Sequence, residues 1–454
     1  MSIKDDSRIV VQGDTFIALR GVLSDGHDYI NTAIKNGATK IICEEGSYEV
    51  ETLVVKDTRE YLINYLKDNY YDKISKMKLI GITGTNGKTT CAYLAHILLN
   101  RMGKKTSYIG TIGYYINKKI KSLNNTTPDL ILLYELLLDS YNQGCEYVIL
   151  EASSQGLSYK RLEGIVFDYV AFTNLTQDHL DYHITMESYA LAKQMLFKKL
   201  KKGCKAIVNI DDPYKSYFML EENQNITYGL KEGDYKITSI MQEGNRTVFK
   251  YKHDNKEIVT STRLLGEYNL YNLMLVISLI TEMGYPDVYK YVTDLQAPPG
   301  RMQFIDYNNS TIIIDYAHTP DSFTKLLEIL KTIPQKNIYA VFGVGGDRDR
   351  TKRPVMMGIM TNGVDYSIIT NEDPRTEDED QIINDLLSGA TNNNYLVEKD
   401  RAKAIQAGIN MLKDNDILLI LGKGHEEAII MNGYKIPFND YETVIKLIKE
   451  KVNN

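Results

Sequence analysis

At roughly 150 residues per domain, the 454-residue sequence is long enough for about three domains. Its composition, 43% hydrophobic and 25% charged, is that of a globular protein, and neither a membrane span nor a signal peptide is predicted. The net charge of −6 argues against a nucleic-acid partner, and four widely spaced cysteines without a CxxC pair suit buried thiols in a reducing compartment, so we expect a cytoplasmic protein.

Alternating apolar runs predict an α/β protein. The strands predicted before residue 225 are 14–19, 40–44, 77–83, 147–150, 168–172 and 206–210. Helices are predicted at 29–36 and 266–283, and a helix with a connector at 61–77. Polar–apolar alternation from 225 to 265 predicts antiparallel strands. After a linker at 297–300, the predicted strands are 311–315, 338–342, 366–370 and 417–421.

Two tripeptides have the sequence of a helix start. Thr127-Pro128-Asp129 and Thr319-Pro320-Asp321 each offer Thr as N-cap, Pro at the first helical position and an acid in the first turn. We therefore predict a helix beginning directly after each threonine.

Residues 79–90, LIGITGTNGKTT, place a glycine-rich loop between a predicted strand and a helix. In such a loop backbone N–H groups surround phosphate oxygens, the lysine reaches the terminal phosphates, and the following Thr hydroxyl can hold Mg²⁺. The general pattern G-x-x-x-x-G-K-[ST] is not satisfied, because Ile82 stands at its first glycine. A turn without function is the alternative, which the flanking strand and helix disfavour. The predicted phosphate-binding residues are Gly84, Thr85, Asn86, Gly87, Lys88, Thr89 and Thr90.

Polar side chains follow many of the predicted strands. Open α/β sheets bind ligands outside the carboxyl ends of their strands. Two strand series with such polar ends predict two half-sites that face each other across a hinge, one for a nucleotide and one for a second substrate. In the first series these side chains include Glu151, Asp178 and His179, and in the second Asp315, His318 and Glu426.

The chain resembles the Mur ligase family, and within it the UDP-N-acetylmuramoyl-tripeptide synthetase branch, nearly end to end. The motifs that carry the resemblance are DSR, GDTFIALRG, TGTNGKTT, NTTPD, LEASSQGL, TNLTQDHLDYH, YALAKQMLF, GEYNLYN, GRMQ, DYAHTPDS, FGVGGDRDRTKRP and GKGHE. The resemblance implies a small α/β UDP-binding domain at 1–76, a central P-loop ATPase domain with a mostly parallel sheet at 77–298, and a C-terminal Rossmann-like α/β domain that binds the amino acid at 299–454.

The resemblance also implies a reaction. The terminal carboxylate of UDP-N-acetylmuramoyl-L-alanyl-D-glutamate attacks the γ-phosphate of ATP, and a free diamino acid then attacks the acyl phosphate, as a step of peptidoglycan synthesis. It assigns catalysis to Lys88, Glu151, His179 and Lys193, and two Mg²⁺ sites to Thr89, Glu151, His179 and Lys193. Further ATP contacts are implied at Asn272, Arg301, Asp315 and His318. Taken alone, Glu151 would equally be a solvated acid at a strand end, and His179 an ordinary loop histidine.

Lys193 lies in an otherwise apolar helix, YALAKQMLF. From the residues alone, a lysine whose ammonium reaches solvent is the better interpretation. The resemblance instead implies a lysine that reacts with CO₂ to form a carbamate, which requires a lowered pKa.

The resemblance places the two remaining substrates at opposite ends of the sequence. Contacts to the UDP-linked dipeptide are implied at Ser7, Arg8, Thr126, Thr127, Ser153 and Arg161. Contacts to the amino acid are implied at Arg348, Glu372, Asp373, Pro374, Arg375, Gly422 and Glu426. An arginine pairs bidentately with a carboxylate, which favours meso-2,6-diaminopimelate over L-lysine.

Three residues depart from the family pattern: Asp373 replaces Asn, Gln155 replaces His and Ile184 replaces Gly. We expect Asp373 to neutralise Arg375 in part, which leaves L-lysine or another amino acid open and allows a divergent paralogue. A folylpolyglutamate synthase-like ligase and a P-loop protein without ligase activity are the further alternatives. We expect a monomer.

Overall fold

In the computed structural model the chain is an α/β protein, as predicted, and residues 2–21, 24–221, 224–243, 246–331, 333 and 335–452 are described. The helices in this part of the chain are α1 Ile30–Lys35, α2 Thr58–Ile74, α3 Lys88–Arg101, α4 Leu130–Asn142, α5 Ser154–Ser158, α6 Leu180–His183, α7 Met186–Gln194, α8 Glu267–Glu282, α9 Pro320–Leu330, α10 Lys352–Gly363, α11 Glu379–Leu387, α12 Arg401–Met411 and α13 Asp440–Val452. Among them, none has the length and apolar character needed to cross a membrane.

The strands fall into four sheets. Their bounds are β1 Ile3–Lys4, β2 Thr15–Ile17, β3 Lys40–Cys43, β4 Glu51–Val54, β5 Lys78–Thr83, β6 Thr106–Gly110, β7 Gly113–Tyr115, β8 Lys119–Lys121, β9 Tyr147–Glu151, β10 Phe167–Phe172, β11 Leu200–Asn209, β12 Asn225–Gly229, β13 Tyr235–Glu243, β14 Arg246–His253, β15 Lys256–Thr262, β16 Gln303–Tyr307, β17 Ser310–Asp315, β18 Ile338–Phe342, β19 Tyr366–Ile369, β20 Tyr395–Val397, β21 Ile417–Leu421, β22 Ala428–Met431 and β23 Tyr434–Pro437. The chain divides into two compact units, Met1–Tyr235 with Met274–Val288 and Lys236–Leu273 with Tyr289–Asn454.

The first unit begins with a small parallel sheet in the order β1-β2-β3-β4. Successive side chains of a strand point to opposite faces of the sheet, and both faces of β2 and β3 carry buried apolar side chains. Phe16 and Ile41 pack in a cluster with residues of α1, whereas Ile17 and Ile42 pack in the large core of this unit. The sheet is thus covered on both faces.

The larger sheet of the first unit has parallel strands in the order β12-β11-β10-β5-β9-β6, extended by β7 and β8 in antiparallel pairing. Residues 79–83 of β5 are all buried, as expected for a central parallel strand with both faces covered. The loop after β5 therefore leaves the carboxyl edge of the sheet between β9 and β10.

The second unit contains a six-stranded sheet in the order β16-β17-β21-β18-β19-β20, with β16 antiparallel and the others parallel. Two hydrophobic clusters cover its faces. Ile313 and Leu419 belong to one cluster, whereas their neighbours Ile312 and Leu418 belong to the other. The carboxyl ends of β17 and β21 lie side by side, which brings the loops after residues 315 and 421 together.

Two sequence predictions about local structure are wrong. Residues 225–229 form a strand that pairs parallel with β11, so antiparallel pairing begins only with β13 to β15. The helix after Thr127 begins at Leu130 with Asp129 as N-cap, because the Thr127 hydroxyl donates to the Glu151 carbonyl at 2.8 Å instead of capping. By contrast, Thr319 caps α9 with Pro320 in the first turn, as predicted.

Candidate active site

The glycine-rich loop joins β5 to α3. A Cβ at Gly84 would lie 1.8 Å from the Thr173 hydroxyl, and Gly87 adopts a positive φ of 85° directly before α3, so both positions require glycine. The Lys88 ammonium donates to the carbonyls of Gly84 and Thr85 at 2.8 and 2.7 Å. The Lys88 side chain therefore folds back over the loop, which leads directly into the N-terminus of the fourteen-residue helix α3.

The segment after β10 holds this loop in place. Asn174 accepts hydrogen bonds from the Thr85 and Asn86 amides at 2.8 and 3.0 Å, through its backbone and side-chain oxygens respectively. The Thr173 hydroxyl donates to the Asn86 carbonyl at 2.6 Å. No role was assigned from the sequence to Thr173 or Asn174, although both belong to the motif TNLTQDH.

Lys193 on α7 does not reach solvent, so the interpretation from residues alone is wrong. Its side chain is 1% exposed, its ammonium donates to the Gly84 carbonyl at 2.7 Å, and it lies 4.4 Å from the centre of the Tyr189 ring. Burial, reinforced by the charge of Lys88, holds the pKa of Lys193 well below its usual value. A lowered pKa raises the uncharged fraction of an amine, which is the form that can attack CO₂.

Glu151 ends β9 and accepts hydrogen bonds from several side chains. The Thr89 hydroxyl donates to its Oε2 at 2.9 Å, Thr111 donates through its amide and hydroxyl at 2.9 and 3.0 Å, and Tyr108 donates through its phenol. Glu151 is completely buried, and a Cβ at Gly110 would lie 2.2 Å from its Oε1. The predicted pair of Thr89 and Glu151 is therefore brought together.

Four residues predicted to contact the UDP-linked dipeptide lie beside Glu151. The Thr126 hydroxyl is 3.1 Å from that of Thr111, and the Thr127 hydroxyl accepts from the Ser153 amide at 2.9 Å. Arg161 donates to the Thr127 carbonyl at 3.0 Å. These hydroxyls and the guanidinium form one hydrogen-bonded group at the carboxyl edge of the sheet.

The structure does not join His179 to this group. His179 has a positive φ of 51°, its ring is half exposed, and its Nε2 lies 3.6 Å from the Asp178 carboxylate. In residues 24–221 no hydrogen bond links it to Thr89 or Glu151. Ser7 and Arg8 lie in a short 3-10 helix, Ser7–Ile9, between β1 and β2. The Arg8 side chain is exposed, and its guanidinium pairs with the Asp6 carboxylate at 2.8 Å.

In the second unit, Asp315 organises the carboxyl end of β17. Its carboxylate accepts from the Met302 and Ala317 amides at 2.6 and 2.7 Å, and burial raises its pKa. The Arg301 guanidinium lies 4.8 Å from the centre of the Tyr316 ring, and His318 Nδ1 donates to the Tyr316 carbonyl at 2.8 Å. Three of the predicted ATP contacts, Arg301, Asp315 and His318, thus share one loop cluster.

Asn272, the fourth predicted ATP contact of this series, lies on α8. Its side chain is buried, and its side-chain amide donates to the Asn269 side chain at 3.4 Å.

Gly300 lies close to the loop after β21. A Cβ at this position would lie 2.2 Å from the His425 amide nitrogen.

The predicted amino-acid loop, residues 372–375, follows β19. The Asp373 carboxylate does not pair with Arg375 but accepts from the Lys423 ammonium at 2.8 Å and from the Ile430 amide at 2.9 Å. The expected neutralisation of Arg375 by Asp373 is therefore wrong. Arg375 follows Pro374 with a positive φ of 56°, and its amide donates to the Ile430 carbonyl at 2.9 Å.

The other predicted contacts to the amino acid surround this loop. Glu426 accepts from Lys423 at 2.7 Å, and a Cβ at Gly422 would lie 2.6 Å from Glu372 Oε2. Arg348 is exposed in the loop after β18. Sequence reasoning assigned no role to Lys423, although it is the lysine of the motif GKGHE.

Glu372 provides a pH-dependent prediction. Burial raises its pKa from 4.5 to about 7, so between these values the folded state binds more protons than the unfolded state, and the free energy of unfolding falls as pH rises. Glu372→Gln should remove this fall. Between pH 5 and pH 8 a pKa raised from 4.5 to about 7 lowers the free energy of unfolding of the wild type by about 2–3 kcal/mol. We therefore expect the Tm of the variant, relative to that of the wild type, to be higher at pH 8 than at pH 5 by roughly 2–6 °C. Equal differences in calorimetry at both pH values would contradict the raised pKa.

The first unit offers two oxygen donors of the kind that Mg²⁺ prefers, although the described residues contain no cluster of three or more His, Cys, Asp or Glu side chains. Magnesium prefers hard oxygen ligands, and Thr89 and Glu151 provide a hydroxyl and a carboxylate beside the phosphate loop. A carbamate on Lys193 would add a further oxygen donor next to Gly84, whereas the exposed His179 ring would have to move.

Three family models match the chain: "Mur ligase family, catalytic domain" at residues 2–79, "Mur ligase middle domain" at 82–280 and "Mur ligase, glutamate ligase domain" at 300–424. A diaminopimelate ligase of Fusobacterium nucleatum, named UDP-N-acetylmuramoyl-L-alanyl-D-glutamate--2,6-diaminopimelate ligase, is 40% identical over 97% of this chain and 92% of its own length. The enzyme of the same name from Clostridium botulinum is 38% identical over 99% and 95%.

A solved structure also titled with that ligase name superposes with a TM-score of 0.71. It has 32% sequence identity and covers 100% of this chain and 95% of its own. The matches extend over nearly the whole chain and include both the phosphate loop and the amino-acid loop described above. The chain therefore belongs to the Mur ligase family.

Proposed function

We propose that the chain is an ATP-dependent ligase that joins meso-2,6-diaminopimelate to UDP-N-acetylmuramoyl-L-alanyl-D-glutamate, a step of peptidoglycan precursor synthesis. The single observation that carries this proposal is the amino-acid loop, in which Asp373 is bonded to Lys423 and Arg375 has no ion pair among the described residues. A guanidinium without a carboxylate partner suits an amino acid with a second, distal carboxylate. The near end-to-end similarity to ligases of that name supports the same assignment.

In this proposal, the first unit transfers the phosphoryl group. The substrate carboxylate attacks the γ-phosphorus of ATP, ADP leaves, and an acyl phosphate forms; the amine then displaces phosphate from the acyl carbon. Lys88 and the loop amides at the start of α3 stabilise the charge on the phosphoryl oxygens. Mg²⁺, when bound by Thr89 and Glu151, neutralises phosphate charge, and a carbamate on Lys193 would provide it with an anionic ligand.

The remaining assignments rest on the resemblance to the family. They are the second Mg²⁺ site with His179, the ATP contacts of Asn272 and Arg301, and the UDP contacts of Ser7 and Arg8. The domain boundaries at residues 76 and 298 and the monomeric state are proposed on the same basis, whereas the cytoplasmic location is proposed from the spacing of the cysteines, which suits buried thiols in a reducing compartment.

The test is ADP release from the purified chain with each substrate omitted in turn. We expect release only when UDP-N-acetylmuramoyl-L-alanyl-D-glutamate, ATP and an amino acid are all present, with meso-2,6-diaminopimelate used better than L-lysine or L-ornithine. ADP release that ignores the UDP-dipeptide would overturn the ligase proposal. Equal or better use of L-lysine would overturn only the choice of amino acid.

Arg375→Ala tests the role of the guanidinium. A charge-assisted hydrogen bond contributes about 1.5–3 kcal/mol, so kcat/KM for meso-2,6-diaminopimelate should fall roughly 10- to 150-fold. The KM values for ATP and the UDP-dipeptide should stay nearly constant. The matched control is Arg246→Ala, because Arg246 pairs with Asp294 on the surface of the same unit. An unchanged kcat/KM in Arg375→Ala would show that another group binds the distal carboxylate.

A further inference from the structure

Lys423 is a fully buried lysine between two carboxylates. Its ammonium donates to Asp373 at 2.8 Å and to Glu426 at 2.7 Å, and its side chain is 0% exposed. Asp373 is nearly as buried, with a side chain 5% exposed, whereas Glu426 is one-third exposed. A buried charge is stable only when it is paired, so Lys423 and Asp373 depend on each other.

The position of the Asp373 carboxylate is fixed from several directions. Its Oδ1 accepts both from Lys423 and from the Ile430 amide, and its backbone carbonyl accepts from the Gly346 amide at 2.8 Å. Moving Oδ1 of this carboxylate away from Lys423 would also break its hydrogen bond with the Ile430 amide.

Arg375 is anchored to the same hairpin, formed by β22 and β23, but through its backbone. Its amide donates to the Ile430 carbonyl at 2.9 Å, and its carbonyl accepts from the Asn432 amide at 2.6 Å. The backbone is thus held on both sides of the residue, while no carboxylate of the described chain lies within ion-pair distance of the guanidinium.

We propose that Lys423 is a positioning residue that sets the specificity of the amino-acid site, because it holds and neutralises Asp373 and so leaves Arg375 available to an anionic group of the incoming amino acid. This inference rests on the proposed function and deepens it. It explains how a chain with an acid two residues before Arg375 still selects a distal carboxylate.

The physical consequence of losing Lys423 follows from the charges that remain. Asp373 would stay as a buried anion beside Glu426 and the buried Oε2 of Glu372. The buried Arg401 also acts on Asp373 by its charge but is already paired with Asp440, so Arg375 is the guanidinium of this loop without a carboxylate partner. Asp373 would then attract the guanidinium and repel a substrate carboxylate. A substrate with a distal ammonium, such as L-lysine, would meet a negative site instead.

The test compares Lys423→Met with the double variant Lys423→Met/Asp373→Asn. Methionine keeps the length of the side chain without its charge, and asparagine removes the charge that Lys423 neutralises. We expect Lys423→Met to lower the ratio of kcat/KM for meso-2,6-diaminopimelate to that for L-lysine by about tenfold or more. The double variant should recover most of this ratio, because neither charge remains to be neutralised.

Three readouts separate this effect from loss of folding. The KM for ATP and the UDP-dipeptide, and the Tm, are measured for each variant, and Lys325→Met is the matched control because Lys325 pairs with Asp321 on an exposed helix face. A ratio unchanged in Lys423→Met, or lowered equally in the double variant, would overturn the proposal. If Lys423→Met does not fold, the double variant provides the test. It should fold and keep the preference for meso-2,6-diaminopimelate over L-lysine. A preference of the double variant for L-lysine would overturn the proposal.

Failure of the proposed function would look different. A wild-type chain that forms no amide with any amino acid would disprove the ligase assignment itself. A wild-type ligase whose selectivity is insensitive to Lys423 would disprove only the role of Lys423.

Discussion

Lys88→Ala should remove nearly all ligase activity while the fold is retained. The Lys88 ammonium already lies on the phosphate loop, within hydrogen-bond distance of the Gly84 and Thr85 carbonyls, and no other side chain of that loop carries a positive charge. Removing one donor that stabilises developing charge lowers kcat by about 10²–10³-fold. Steady-state ADP release at saturating substrates measures the effect.

The control for this variant is Lys198→Ala, an exposed lysine of the same unit. It should have wild-type kcat and the same Tm as Lys88→Ala within the error of the measurement. Near-normal turnover in Lys88→Ala would mean that the glycine-rich loop does not bind the reacting phosphates.

Lys193→Ala should be almost inactive and should regain part of its activity when formate or acetate is added. The reason is the environment of the lysine: it is buried beside Lys88 and Gly84, and this burial lowers its pKa, which favours the uncharged amine. In the proposed carbamylation, the uncharged amine would attack CO₂, form an N–C bond and release one proton, which would yield an anionic carbamate. A small carboxylate replaces that anion in the space left by alanine.

The matched variant is Lys193→Met, in which the methionine side chain fills that space. It should be inactive and should not respond to formate or acetate. Native mass spectrometry of the wild type in bicarbonate buffer should show the added mass of one CO₂, which is lost in both variants. An unmodified Lys193 in an active enzyme would contradict the carbamate.

Much of the fold was predictable because parallel strands buried on both faces read as continuous apolar runs. β9, β18 and β21 begin at the predicted residues and end within one residue of the predicted positions for that reason. Short strands at or beside the edges of the sheets were missed, among them β7, β8 and β20, since three residues carry too little periodicity to be recognised.

The errors at the site have a common cause, which is tertiary competition for a polar group. Thr127 has the sequence of an N-cap, but its hydroxyl bonds to Glu151, 24 residues away along the chain. Lys193 has the sequence of a lysine that reaches solvent, but the Gly84 carbonyl binds its ammonium. Asp373 is two residues before Arg375, yet its carboxylate accepts a hydrogen bond from Lys423. Sequence spacing alone cannot predict which distant partner prevails.

The most direct test of the account follows an oxygen atom. If the carboxylates of the D-glutamate in UDP-N-acetylmuramoyl-L-alanyl-D-glutamate are labelled with ¹⁸O, attack of one of them on ATP places one labelled oxygen between carbon and phosphorus. When the amine displaces phosphate, that oxygen leaves with the phosphorus. We predict one ¹⁸O in the inorganic phosphate for each amide formed, measured by mass spectrometry; phosphate that carries no label, with its new oxygen taken from water, would contradict the ligase mechanism.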